Sequence, residues 1–161
     1  MNKIYRVFFI IVIVSIFGLL YILYQDYSFK NNPLPNNTLL KIEKKKRELE
    51  KLVYKNYHIK KDIPIVLSSK LKDKLYGLAM YNSGDIKIVL NKNRFQESTD
   101  YMIDYVLPHE YAHTVMFLLN DFTKENSGHS KRWQQICLSL KGKKCDRFVN
   151  HQDIIFQKLD I

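Results

Sequence analysis

Cysteine is nearly absent from this chain: 161 residues hold only Cys137 and Cys145. Two are too few for a disulfide framework, so an apolar core has to carry the fold. No internal repeat is visible, which sets aside a stacked-repeat architecture. The length suits one domain with a real core and is too short for two. Acidic residues are also scarce, 16 against 26 lysines and arginines, giving a formal charge of +10. A surface of that sign is drawn to polyanions, anionic lipid or nucleic acid, although lysines that merely keep a small domain soluble give the same count.

Charge is missing altogether between Arg6 and Asp26. Residues Val7 to Tyr24 are apolar except for Ser15 and Gly18. As a helix at about 1.5 Å per residue the run reaches roughly 27 Å, close to the hydrocarbon thickness of a bilayer. No small-x-small pair follows it, and it exceeds a usual signal-peptide core, so a retained anchor is expected rather than a cleaved signal or a buried helix. Lys3 and Arg6 before the span favour an inside N-terminus, whereas the basic run Lys41 to Arg47 beyond it pulls the other way. The balance tilts slightly toward an extracytoplasmic domain on a single-pass membrane protein. Cys137 and Cys145 would pair only in an oxidising compartment.

The expected organisation is a transmembrane segment over 1–25, a polar linker with Pro33 and Pro35 over 26–38, and a domain over 39–161. From Leu39 to about Tyr57 the apolar residues Leu39, Ile42, Leu49, Leu52, Val53 and Tyr57 keep a helical period, with Thr38 as N-cap. "DIPIVLSS" reads as a strand, and "YGLAMYNSGDIKIVLN" as a hairpin turning at Asn82–Asp85, so a small antiparallel sheet is expected. A helix capped by Ser98 or Thr99 follows. Pro108 interrupts its period, either kinking it or opening a fresh helix. A further helix begins near His129 or Ser130 and ends by Gly142.

The second half also carries the chemistry. "HEYAH", His109 to His113, places two histidines four apart on one helical face, where both imidazoles can reach one ion, with Glu110 at the edge of that face. A catalytic zinc takes three protein ligands and leaves a fourth position open. A metzincin would need glycine at 116 and histidine at 119, where this chain has Met116 and Leu119. His129, opening a helix with Trp133 one turn on, ranks above Glu125, Asp121 and His151 as third ligand.

"GLAMYNSGDIKIVLN", "VLPHEYAHTVMF" and "SGHSKRW" together resemble the SprT-like zinc metalloprotease domain, over roughly Leu49 to Leu140. The resemblance implies an α+β, zincin-like domain whose short antiparallel sheet packs against the HExxH helix. It implies Zn2+ held by His109, His113 and His129, with Glu110 as catalytic base. Gly128 and Trp133 occupy the family's glycine and aromatic positions. Pro108 stands where an aliphatic residue is usual, and the CxxC pairs of a zinc ribbon are missing.

The implied activity is hydrolysis of a protein or peptide substrate through a zinc-activated water, on a membrane anchor formed by residues 7–24. Tyr81, Tyr111 and His151 are oxyanion-donor candidates by residue type alone. The alternative is a membrane-tethered zinc-binding module that recognises a polyanion and cleaves nothing. A third reading, a protease activated by nucleic acid, rests on the basic stretches around Tyr54 and Tyr57 and on "KGKKCDR".

Overall fold

The computed structural model of the chain describes residues 3–121, 123 and 128–146, in two compact units divided between Leu34 and Pro35. The first is a single helix, α1 (Lys3–Asn31), long and apolar enough to cross a membrane, with none of its residues buried. It runs six residues past the expected end of the span. The polar stretch there sustains it through contacts one turn apart: Lys30 pairs with Asp26 at 2.7 Å, and the Asn31 amide donates to the Tyr27 carbonyl at 2.8 Å. The expected linker thus shrinks to the residues around Pro33 and Pro35, where helix cannot continue.

The second unit is α+β, a three-stranded sheet packed against helices. It opens with α2 (Asn36–Tyr57), which starts two residues before the expected cap. Pro35 stands at the N-cap without a side-chain bond, and Thr38 is buried inside the helix. Ile42, Leu49 and Val53 form the buried stripe of α2, each such side chain contributing roughly 1.5–3 kcal/mol. On its flanks Lys45 reaches Asp104 at 3.6 Å and Lys46 pairs with Asp62.

Strands β1 (Ile65–Ser68), β2 (Gly77–Asn82) and β3 (Asp85–Asn91) lie in the order β1-β3-β2. The hairpin forms where its turn residues predict: Ser83 and Gly84 both have positive φ, 48° and 98°, the pattern of a type I′ turn. The expectation of a wholly antiparallel sheet holds for β2–β3 and fails for β1, which pairs with β3 in parallel, Ile65 opposite Ile88. The segment after β1 crosses to the far edge before β2 begins. It is pinned there by the Asn91 amide, which donates to the carbonyls of Leu75 at 2.8 Å and Lys72 at 3.3 Å. The most buried strand, β3, takes the centre, with Ile86, Ile88, Val89 and Leu90 buried.

Ser98 then caps α3 (Thr99–Tyr101), accepting the Tyr101 amide at 3.1 Å. A π-helical turn, Met102–Val106, leads directly into α4 (Leu107–Leu118). Pro108 stands in the first turn of α4, within one residue of the fresh start expected there, and the chain enters it from the π turn without leaving helical backbone. The wide turn shifts the hydrogen-bond register, Leu107 N–H bonding to Met102 O, at the place where proline can donate nothing. Helix α5 (Lys131–Ser139) is capped by Ser130, whose hydroxyl accepts the Trp133 amide at 3.2 Å, and it buries Trp133, Ile136 and Cys137. Cys137 and Cys145 form a disulfide.

Candidate metal centre

At 3.6 residues per turn, His109 and His113 stand one turn apart on α4, with ring centroids 5.2 Å apart. His129 comes from the opposite side, from the turn that leads into α5. Gly128 there has φ 69°, and a Cβ would meet nothing within 4 Å, so backbone conformation rather than crowding calls for glycine. One residue on, His129 Nε2 lies 2.9 Å from His109 Nε2 and 3.3 Å from His113 Nε2.

That convergence can be tested against a metal. Four ligands around a tetrahedral zinc at 2.0–2.1 Å stand about 3.3 Å from one another. Both separations from His129 are close to ligand spacing and all three nitrogens lie within 4.8 Å of one another, so the three residues fit a zinc ion. No carboxylate or thiol joins the group among the described residues. Trp133, fully buried, forms the floor, its ring centroid 4.6, 5.1 and 4.5 Å from those of His109, His113 and His129.

Burial sets the protonation states. Desolvation first, and the neighbouring His129 second, push His109 down to about 4. Desolvation, then the charges of His109 and His129, pushes His113 down to about 3. Both rings are neutral at pH 7 and offer lone pairs to a metal. Desolvation moves Glu110 the other way, up to about 7, against the opposing effect of the Ala79 amide, which donates to Glu110 Oε2 at 2.9 Å. That carboxylate is 7% exposed and lies against β2 beside the histidine cluster.

The other sequence candidates fall away from this point. Asp121 is buried in an ion pair with Arg132 at 2.6 Å, which ties the end of α4 to the start of α5. Tyr111 lies about 200° round the helix from His109. Its buried hydroxyl has no hydrogen-bond partner among the described residues, and its ring lines a separate cleft of about 580 Å3 with Val53, Ile63, Val115 and Leu118. Tyr81 is on the site's side of α4, its ring 5.7 Å from that of Phe117. Glu125 and His151 lie outside the described residues. The Ala79 amide on Glu110 and the close approach of Glu110 to Gly77 leave no mark in the sequence beyond an isolated glycine at the start of a strand.

Residues 42–152, more than half of the chain, match the SprT-like family. No curated protein and no solved structure gives a match. The SprT-like domain is one of the zincin-like metalloproteases, and its span here contains α4, the turn with His129 and α5. By this match, the chain belongs to the SprT-like family.

Proposed function

We propose that the protein is a membrane-anchored zinc metallopeptidase that hydrolyses peptide bonds, with His109, His113 and His129 as zinc ligands and Glu110 as general base. The observation that carries this reading is the convergence of three imidazoles, with ligand nitrogens within 4.8 Å of one another, beside a buried carboxylate. Zinc bound there would supply Lewis-acid polarisation of the scissile carbonyl and lower the pKa of water toward about 7. Glu110, with its own pKa raised to about 7, is matched to taking a proton from water and giving it to the leaving amine. Ala79 N–H and the walls of β2 and α4 hold that carboxylate in one orientation.

The anchor is α1, and the domain is proposed to face the oxidising side of the membrane. The Cys137–Cys145 bond supports that side, as do Lys3 and Arg6 ahead of the span. A module that only bound polyanions would have no need of a buried base or an open fourth position.

Cleavage of an unfolded protein by the zinc-loaded full-length chain tests the reading. Glu110→Gln is expected to keep its zinc and lose at least about a hundredfold in kcat, within the range of general-base contributions. Equal turnover by wild type and Glu110→Gln would remove Glu110 from the mechanism.

A further inference from the structure

Gly77 opens β2, and it is absent from the residues with positive φ, so its backbone does not call for glycine. Space does. A Cβ at this position would stand 2.8 Å from Glu110 Cγ, 2.9 Å from Glu110 Oε1 and 3.0 Å from Val106 Cγ1. Glu110 is not a loose side chain that could swing aside. Its other oxygen is held by Ala79 N–H at 2.9 Å, two residues further along the same strand, and the residue is buried. A side chain at 77 must therefore break the Ala79 bond or lift α4 off β2.

We propose that Gly77 is a positioning residue for Glu110: its missing side chain is the space in which the carboxylate lies, and Ala79 N–H is the peg that fixes it there. The three imidazoles are carried by α4 and by the turn before α5, not by β2, so zinc binding and base positioning become separable. What displacement costs in turnover rests on the peptidase reading, whereas the contact itself does not.

Four full-length proteins in detergent test the proposal: wild type, Gly77→Ala, Glu110→Ala and the double variant. Thermal unfolding of the metal-free forms is followed first. Gly77→Ala is expected to lower the unfolding midpoint in the wild-type background, and most of that loss should vanish in the Glu110→Ala background, where two of the three crowding atoms are gone. A Gly77→Ala protein that fails to fold while the double variant folds supports the proposal equally. The same loss in both backgrounds would overturn it, because Val106 and the helix packing would then be the whole cause.

The zinc-loaded Gly77→Ala enzyme supplies the second readout. It is expected to retain one zinc per chain and its KM while kcat drops roughly a hundredfold, the cost of a base misplaced by about 1 Å. Full kcat with full zinc would contradict the proposal. If wild type cleaves nothing, the peptidase reading fails, and the thermal comparison still decides whether Gly77 and Glu110 are coupled.

Discussion

A buried imidazole is a poor cation, and this decides how the proposed site would take up a metal. His109 and His113 are held near 4 and 3, below the ordinary 6.5, mainly by desolvation. At pH 5.5 those two rings carry almost no proton to displace. Zinc binding to Glu110→Gln, where the carboxylate is removed from the count, should then release about one proton or fewer from the rings. Three imidazoles of ordinary pKa would release nearly three. Calorimetry in buffers of different ionisation heat measures the number, and a release close to three would show that the rings are not desolvated. Trp133, the single tryptophan, stacks within 5.1 Å of His113, so its fluorescence should change on metal binding and saturate at one ion per chain. No change through a full titration would separate the ion from this cluster.

Among the elements, the HExxH helix was the most legible, because a spacing of four on a helix fixes which side chains share a face. His109 and His113 required only that α4 exist. The hairpin was equally plain, since Ser83-Gly84 supplies the two positive φ values the turn requires. Three features were not legible. The direction of β1 depends on where the chain crosses after it, and the bonds from Asn91 that fix the crossing join residues 16 and 19 apart. The π turn before Pro108 depends on a hydrogen-bond register that side-chain periodicity does not reveal. The clasp on Glu110 comes from a backbone amide, which no residue type announces.

The proposed third ligand, His129, depends on the start of α5. Ser130 caps that helix immediately after His129, and losing such a cap costs about 0.5–2 kcal/mol. Ser130→Ala should therefore lower the unfolding free energy by about 1 kcal/mol and weaken zinc binding, both measurable by denaturant titration with and without metal. Unchanged stability and affinity would mean that the disulfide and the Trp133 packing alone hold the turn.

For the whole molecule, sidedness and stability meet in one bond. A disulfide closing a loop of eight residues, Cys137 to Cys145, contributes about 2–3 kcal/mol in the chain-entropy picture. Gly142 leaves room for it: a Cβ there would come within 2.6 Å of Cys137 Sγ. Protein from intact cells, alkylated before lysis, should show both cysteines blocked from labelling, and reduction should lower the melting temperature by several degrees. Two freely labelled thiols would put the domain on the reducing side, against the proposed topology. On the basic helix α2, Lys41, Lys45 and Lys46 are each engaged by carboxylates of this same domain, as on an ordinary solvated face.

Whether His109, His113 and His129 make one zinc site is read from the metal content per chain. Elemental analysis of full-length protein purified without chelator should find one zinc in wild type and in Glu110→Gln, and a clear deficit in His129→Ala. Metal-free wild type, or a full complement in His129→Ala, would contradict the account.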